Sequence, residues 1–267
     1  MKDIRPKKSL GQNFLGNRGV LKKIIIAAEL EGGDTVLEIG PGTGILTEEL
    51  LAASNKVIAV EKDRRLIPHL KDRFSKEISS GKLILLEDDI LEFKPENHGL
   101  ITGGYKMAAN IPYYLTGAIM RKFLSAKIQP EKMVLMIQKE VAKRITAKNG
   151  NGSLVSLSVK AYGEPRYVAT VSRGSFRPAP KVDSAIISIE KISRKNFKTE
   201  VEENHFFDTL HAGFAHKRKK LISNLKDIFP NVDWQSAFKA EKVKETARAE
   251  ELKMEQWLSL AKNLTFF

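Results

Sequence analysis

The chain has 267 residues, of which 45 are lysine or arginine and 32 are aspartate or glutamate, giving a formal charge of +13 at pH 7. It has no cysteine, which excludes disulfides, thiolate metal sites and a cysteine nucleophile. No apolar run reaches the roughly 18 residues of a membrane span, and residues 1–8 lack the apolar core of a secretory signal. We therefore expect a cytoplasmic protein whose positive field favours nucleic acid or another polyanion as partner.

Short apolar runs rich in β-branched residues alternate with amphipathic stretches over the first two-thirds of the chain. Five runs predict buried strands, at residues 35–39, 56–60, 83–86, 105–109 and 133–137. The stretches between them predict helices, at residues 46–53, 64–78 and 117–126. This alternation predicts βαβ units and a parallel sheet, which is an α/β fold.

The pattern changes after the fifth strand. Residues 139–147 predict a helix that stops at residues 148–152, and residues 167–172 and 185–190 predict an antiparallel hairpin. Residues 192–198 are polar and predict a linker, and a helical pattern follows from residue 202, with a turn and cap at residues 231–234. We therefore predict two domains, an α/β domain at residues 1–191 and a small all-helical domain at residues 192–267.

A glycine-rich turn, Gly40-Pro-Gly42-Thr-Gly44, follows the first strand of this sheet. Glycines permit a tight turn and let a ligand approach the backbone closely. The dinucleotide fingerprint fails because position 45 is isoleucine, and the Gly-Lys-Ser/Thr ending of a P-loop is absent. The turn therefore favours a nucleoside ligand without phosphates, with a purely structural glycine cluster as the alternative.

Carboxylates end the next two strands. Glu61 at the second strand tip can accept hydrogen bonds from both hydroxyls of a ribose. Glu87, Asp88 and Asp89 end the third strand at the same edge, where a carboxylate can accept from an adenine amino group. A ligand with a ribose, an amino group and a cationic centre fits this set, and S-adenosylmethionine has all three. The alternative is that residues 87–89 only cap a loop.

The fourth strand leads into Asn110-Ile-Pro-Tyr-Tyr114. The exocyclic amino nitrogen of adenine is a poor nucleophile because its lone pair is delocalised into the ring. The Asn110 amide oxygen and a neighbouring backbone carbonyl can accept its two N–H groups and draw that lone pair out. Pro112 rigidifies the turn, and Tyr113 offers a face on which an extruded base can stack. We therefore predict Asn110, Pro112 and Tyr113 as catalytic residues, with a proline-containing loop and a packed tyrosine as the alternative.

These motifs, in this order, resemble those of the ribosomal RNA adenine N6-dimethyltransferases. The matching stretches are residues 8–15, 38–44, 60–61, 88–89, 110–113, 138–144, 176–184, 214–221 and 247–252. The resemblance implies a Rossmann-like class I S-adenosylmethionine-dependent methyltransferase sheet as the catalytic domain and a small helical C-terminal domain that binds RNA. It also implies methyl transfer from S-adenosyl-L-methionine to N6 of two adjacent adenosines near the 3′ end of small-subunit ribosomal RNA, within an immature subunit.

The resemblance also assigns individual residues. Those implied to bind the methyl donor are Asn13, Leu15, Gly40, Glu61, Asp89 and Asn110. Asn13 and Leu15 would touch its methionine end, and Asp89 is preferred to Asp88 for the adenine amino group because it aligns with the single family aspartate before an apolar residue. Phe176 would supply the second face of a sandwich around the target base, with a hairpin-loop anchor as the alternative.

Several expectations concern partners. Lys181 and the cluster Lys217–Lys220 predict contacts to RNA phosphate, with solvated lysines as the alternative. The five histidines show no paired ligand spacing, so we expect no metal, and we expect a monomer that binds neither DNA nor membrane. Two other functions stay open. One is an Erm-type enzyme acting on large-subunit ribosomal RNA, in which Ile111 is commoner than in bacterial small-subunit enzymes. The other is a ribosome assembly factor whose catalysis is secondary.

Overall fold

A computed structural model describes residues 6–7, 10–147 and 152–264 of the chain. These divide into two compact units, the first formed by Met1–Ala142 and Glu164–Ile192 and the second by Lys143–Gly163 and Ser193–Phe267. Lys8, Ser9 and most of the predicted stop at residues 148–152 lie outside the described residues. No helix in the described ranges is long and apolar enough to cross a membrane.

The first unit is built on a seven-stranded sheet with strand order β4-β3-β2-β5-β6-β9-β7. The strands of the unit are β1 (Phe14–Leu15), β2 (Thr35–Ile39), β3 (Lys56–Glu61), β4 (Leu83–Glu87), β5 (Lys106–Asn110), β6 (Lys132–Gln138), β7 (Glu164–Val171), β8 (Phe176–Arg177) and β9 (Ser184–Glu190). Strands β2 to β6 pair in parallel, and β9 pairs antiparallel with both β6 and β7. The predicted parallel α/β sheet and the antiparallel hairpin are thus confirmed.

Four of the five parallel strands, β2, β3, β5 and β6, are almost continuously buried, as expected for a parallel sheet covered by helices, whereas the edge strand β4 is buried only at Leu83. Helices of the first unit are α1 (Arg18–Ala28), α2 (Ile45–Ala53), α3 (Ile67–Arg73), α4 (Ser75–Ser79), α5 (Thr116–Leu124) and α6 (Lys139–Ile145), the last of which runs into the second unit. The single helix predicted at residues 64–78 is wrong in one respect. It divides at Phe74, which has φ −112° and ψ 30° and packs its ring in the core.

In its described part the second unit consists of helices joined by turns and loops, with no strand. Its helices are the end of α6, α7 (Leu154–Lys160), α8 (Glu200–Gly213), α9 (Leu221–Ile228), α10 (Trp234–Ala240) and α11 (Met254–Ala261). The Asp233 side chain accepts the Ser236 N–H at 3.1 Å and caps α10, which confirms the predicted turn and cap. The cluster Lys217–Lys220 lies in the loop between α8 and α9, and all four side chains are exposed.

Residues 143–163 belong to this second unit, whereas a single cut at residue 192 had grouped them with the sheet. Side chains explain the grouping, since the Tyr162 hydroxyl donates to the buried Glu203 carboxylate and the Asn196 amide donates to the Ala161 carbonyl at 2.7 Å. The Tyr162 ring also packs against Phe197 and Phe207. A segment that leaves the sheet and later returns to it has no local sequence signal of its own.

Candidate active site

A cleft opens at the carboxyl edge of the parallel strands. Adjacent strands end there together, because Ile39 is paired with Val60 and Ala109, and Glu61 with Glu87. The segments that line the cleft are 10–14, the turn at 39–42, 60–62, 88–90, 110–115 and Phe176. The fold therefore brings most of the predicted site residues into one cleft, at the edge where open α/β sheets bind their ligands.

Gly40 and Gly42 shape the floor of the cleft. Gly40 has φ +65°, and a Cβ placed on it would meet nothing within 4 Å, so the backbone there faces open space. Gly42 has φ +61°, and its Cβ would lie 3.3 Å from the Phe14 ring. A side chain at position 42 would therefore be strained by the backbone and crowded by the aromatic ring.

Glu61 is almost fully buried at the tip of β3. Its Oε2 accepts the Gly42 N–H at 3.1 Å and its Oε1 accepts the Asp63 N–H at 2.8 Å. Burial raises the pKa of this carboxyl group, and the backbone donors partly oppose the increase. Each carboxylate oxygen keeps acceptor capacity beyond these single bonds, so Glu61 is a rigidly held acceptor beside the glycine turn.

Asp88 and Asp89 both line the cleft after β4. The Asp89 Oδ2 atom accepts from Lys62 Nζ at 2.5 Å and its Oδ1 accepts the Leu91 N–H at 3.0 Å. Burial is the largest single influence and disfavours the charged form of Asp89, but the hydrogen bonds from Lys62 and the Leu91 N–H, together with the charges of Lys62 and Lys122, outweigh it and lower the pKa. Asp88 is exposed, and its Oδ1 accepts the Asp89 N–H at 2.7 Å. Both carboxylates reach the cleft, and the preference for Asp89 stays a prediction.

Asn110 ends β5. In the strand order, β2 lies between β5 and the strands β3 and β4, which carry the acidic tips. Its Nδ2 donates to the Asn13 carbonyl at 3.3 Å, while the Asn13 Nδ2 donates to the Gly11 carbonyl at 3.1 Å. Within the described part of the chain, no hydrogen bond occupies the Asn110 Oδ1 atom. The Leu115 N–H closes the following turn on the Pro112 carbonyl at 2.9 Å.

Tyr113 and Phe176 are the two predicted aromatic residues, and both line the cleft. The Tyr113 hydroxyl lies 2.8 Å from the buried Ser184 Oγ, and burial raises its pKa. Phe176 is 3% exposed and lies in β8, which pairs with β1 of the N-terminal segment. The structure thus places both residues in the cleft that Asn110 also lines, and Phe176 also packs into the core.

Leu15 is the predicted donor-binding residue whose side chain does not line the cleft. It is 5% exposed and packs in the hydrophobic core, whereas its neighbour Phe14 lines the cleft. Successive side chains of a strand point to opposite faces, so only one of the two β1 residues can face the ligand side. Phe14 and Leu15 are both apolar, so no local signal in the sequence indicates which of them faces the cleft, and Phe14 was missed.

A polar network behind the acidic tips was also missed. Asp63 is 3% exposed, and its carboxylate accepts two hydrogen bonds from the Arg65 guanidinium, at 2.9 and 2.6 Å, and one from the Gln12 amide at 2.9 Å. The Arg65 hydrogen bond is the main reason why the pKa of Asp63 falls to about 2. Gln12 stands one residue before Asn13 in the matching motif, but nothing local indicates that it reaches β3.

Comparison with known proteins agrees with this arrangement. The family model for ribosomal RNA adenine dimethylase matches residues 4–265. A ribosomal RNA small subunit methyltransferase A of Dehalococcoides mccartyi is 43% identical over 96% of this chain and 88% of its own length. The protein of the same name from Fusobacterium nucleatum is 36% identical, over 97% of this chain and 98% of its own length.

Solved structures show the same similarity. A dimethyladenosine transferase from Plasmodium falciparum has a TM-score of 0.76 at 29% identity and covers 92% of this chain and 95% of its own. The 23S rRNA methyltransferase ErmE has a TM-score of 0.75 at 28% identity and covers 94% of this chain and 99% of its own. Because the family match spans nearly the whole sequence, the chain belongs to the ribosomal RNA adenine dimethylase family.

Proposed function

We propose that this chain transfers methyl groups from S-adenosylmethionine to N6 of two adjacent adenosines in the 3′-terminal hairpin loop of small-subunit ribosomal RNA. The product is N6-dimethyladenosine, and the substrate is an immature small subunit in the cytoplasm. The observation that carries the proposal is a single cleft that unites the glycine turn and Glu61 with the turn Asn110–Tyr113. One half suits a nucleoside donor and the other suits an adenine amino group.

The residues present fit the methyl donor. The backbone at Gly40 faces open space that a Cβ would enter, so a ligand can lie against it. The buried Glu61 carboxylate would accept from the ribose hydroxyls, Asp89 from the adenine amino group, and Asn13 would contact the methionine end. When bound, S-adenosylmethionine supplies an electrophilic methyl group.

Asn110 prepares the target nitrogen. Its Nδ2 is held by the Asn13 carbonyl, which leaves its Oδ1 as an acceptor for one N–H of the adenine amino group. The Pro112 carbonyl is taken by Leu115, so the Ile111 carbonyl is the acceptor that the turn offers to the second N–H. These two bonds localise the nitrogen lone pair, and the cationic amine formed by methylation then loses its proton readily to water. The chain therefore needs no strong general base.

Two rings would hold the base while this happens. Tyr113 is fixed through its hydroxyl on Ser184, and Phe176 is fixed through the pairing of β8 with β1. Base–aromatic stacking contributes about 1–3 kcal/mol per base, which offsets part of the cost of unstacking the adenosine. Both residues serve binding and orientation, and neither takes part in bond making.

The helical part, residues 192–267, is proposed as the RNA-binding domain of a monomeric enzyme. The exposed cluster Lys217–Lys220 offers four cations in one loop, of which Lys219 lies 3.3 Å from Asp227. Such a cluster suits phosphate contacts, which supply affinity that depends on salt rather than on sequence.

An Erm-type activity on large-subunit ribosomal RNA is the second candidate, because ErmE shares the fold over most of both chains. Identity favours the first candidate, at 36–43% to relatives named for the small subunit against 28% to ErmE. The direct test offers labelled S-adenosylmethionine to immature small subunits and to large subunits, and then maps the modified base. Label in two adjacent small-subunit adenosines supports the proposal, and label confined to large subunits contradicts it.

The variant Asn110→Ala tests the role proposed for the Asn110 amide in methyl transfer. We expect a loss of turnover of about 10²-fold or more, in line with removal of a transition-state hydrogen-bond partner, and a rise in the dissociation constant for the methyl donor that is much smaller than this loss. Asn97→Ala, at an exposed position, is the control. Unchanged turnover of Asn110→Ala would contradict the role given to that amide.

The third candidate function is an assembly factor whose catalysis is secondary. The variant Glu61→Ala distinguishes it from a function that requires methylation. This variant should lose the methyl donor while it keeps the exposed lysines of the second unit. Cells that carry it in place of the wild-type chain should accumulate immature small subunits if methylation itself is required. Normal subunit maturation without methylation would instead support the assembly role.

A further inference from the structure

The N-terminal wall of the cleft, defined here as residues 10–14, is joined to the end of β3 by one side-chain pair. Gln12 Nε2 donates to Asp63 Oδ2 at 2.9 Å, across 51 positions of sequence. Asp63 is buried, and its own backbone N–H donates to Glu61 Oε1 at 2.8 Å. One residue therefore contacts both the wall and the carboxylate that would hold the ribose.

The Asp63 carboxylate is held in place without help from Gln12. Arg65 Nε donates to Oδ1 at 2.9 Å and Arg65 Nη2 donates to Oδ2 at 2.6 Å. The pKa of Asp63 is lowered to about 2, mainly by the hydrogen bond from Arg65 and to a smaller extent by the one from Gln12, so the carboxylate is ionised at physiological pH. Gln12 thus docks onto a preformed anionic acceptor, and the opposite end of its amide accepts the Lys7 N–H at 2.8 Å.

The other attachments of the wall lie at its far end. Asn110 Nδ2 reaches the Asn13 carbonyl at 3.3 Å, and Phe14 pairs with Arg177 in the short β1–β8 ladder. Leu10 and Gln12 otherwise bond locally, since both backbone N–H groups reach the Lys7 carbonyl. Among the described residues, Gln12 is therefore the side chain that anchors the first half of the wall.

We propose that Gln12 and Asp63 act as positioning residues that latch the N-terminal wall over bound S-adenosylmethionine. The inference rests on the proposed function for the identity of the ligand. A closed latch stabilises the bound donor and its demethylated product, whereas the methyl-transfer step depends on Asn110. The latch should therefore determine donor affinity and leave turnover at saturating donor unchanged.

Two variants of Gln12 test the latch. Gln12→Ala removes the amide that donates a hydrogen bond to Asp63, but it leaves Asp63 paired with Arg65, so the fold should persist. Gln12→Glu places a second carboxylate where the amide lies 2.9 Å from Asp63, and like charges at that distance repel. The matched control is Gln235→Ala, which removes an exposed glutamine side chain from α10 of the second unit.

The readouts are calorimetric dissociation constants for S-adenosylmethionine, steady-state kinetics on small subunits, and hydrogen exchange of residues 10–16. We expect a dissociation constant raised about 10- to 150-fold in Gln12→Ala, the range for one lost hydrogen bond to a charged group, and raised further in Gln12→Glu. Exchange of residues 10–16 should accelerate in both variants, while kcat at saturating donor and the KM for RNA stay within about twofold of wild type.

Donor affinity within twofold of wild type in both variants would overturn the latch, as would a fall in kcat at saturating donor that matches the fall in kcat/KM. Equal effects of the two Gln12 variants would also overturn it. If the hydrogen bond to Asp63 holds the wall, Gln12→Glu should weaken binding of the methyl donor more than Gln12→Ala, because its carboxylate repels Asp63 whereas alanine only removes the bond. A wild-type chain that binds the donor but leaves ribosomal RNA unmethylated would contradict the proposed function, and the calorimetric comparison would still decide the latch.

Discussion

Replacing Glu38 with glutamine should change how the stability of the protein depends on pH. Glu38 lies in β2 and is 1% exposed, and neither of its carboxyl oxygens has a hydrogen-bond partner among the described residues. Burial raises its pKa from the ordinary 4.5 to about 8, the nearby Thr47 hydroxyl opposes the shift without reaching good hydrogen-bond geometry, and the charge of Glu61 adds to it. The folded protein therefore carries a proton on Glu38 at neutral pH.

The size of the effect follows from proton linkage. Between pH 4.5 and about 8 the unfolded chain releases this proton while the folded protein retains it, so stability falls as the pH rises. At 1.36 kcal/mol per pH unit, the interval corresponds to a loss of up to about 5 kcal/mol that is complete near pH 8. Glutamine has the same shape and stays neutral, so Glu38→Gln should not show this loss.

Urea denaturation of both proteins from pH 5 to 8.5, followed by far-UV circular dichroism, measures the difference. Tryptophan fluorescence is the wrong probe, because Trp234 and Trp257 both lie in the second unit. Glu131→Gln, which removes an exposed carboxyl group from the same unit as Glu38, is the matched control. The advantage of Glu38→Gln over wild type should grow steadily toward pH 8. An advantage that stays constant over the whole range would refute the protonated buried carboxyl.

Three further changes test the cleft and the basic loop. Glu61→Gln should raise the calorimetric dissociation constant for S-adenosylmethionine at least about tenfold, since a charged acceptor is lost; an unchanged constant would remove Glu61 from the donor site. Gly42→Ala should lower the free energy of unfolding by about 1–2 kcal/mol because of the left-handed backbone at this position, and by more because the new Cβ crowds Phe14. Its melting temperature should therefore lie below that of the control Gly32→Ala, whose Cβ meets nothing within 4 Å. Charge reversal of Lys217–Lys220 should weaken RNA binding and flatten its dependence on salt; an unaltered salt slope would place the phosphate contacts elsewhere.

The sheet and the acidic edge could be predicted because both depend on local patterns. Runs such as residues 57–60 are continuously apolar and rich in β-branched residues, so the strands were found to within a few residues of their observed bounds. The carboxyl ends of parallel strands share one edge, and this topological rule placed Glu61, Asp89 and Asn110 in one cleft before any distance was known.

Features that depend on long-range contacts could not be predicted in the same way. Strand β1 has two residues, and its partner Phe176 lies about 160 positions away, so no periodicity indicates their pairing. No local pattern indicates the hydrogen bond between Gln12 and Asp63 either. Nor does one indicate that residues 143–163 belong to the second unit with residues 193–267. Phe74 shows a different limit, because a helical pattern continues through it while tertiary packing of its ring ends α3.

The cations that follow β3 explain how an acidic cleft can serve a polyanionic substrate. Lys62 pairs with Asp89 at 2.5 Å, Arg64 with Glu87 at 2.7 Å, and Arg65 with Asp63 at 2.6 Å. Each of these carboxylates therefore meets RNA already paired with a cation, and Glu61 is shielded by its burial. Local pairing removes most of the repulsion that unpaired carboxylates would exert on phosphates, because the field of a close ion pair decays faster than that of a single charge. The net charge of +13 can then attract RNA to a site whose ligand groups are mostly acidic.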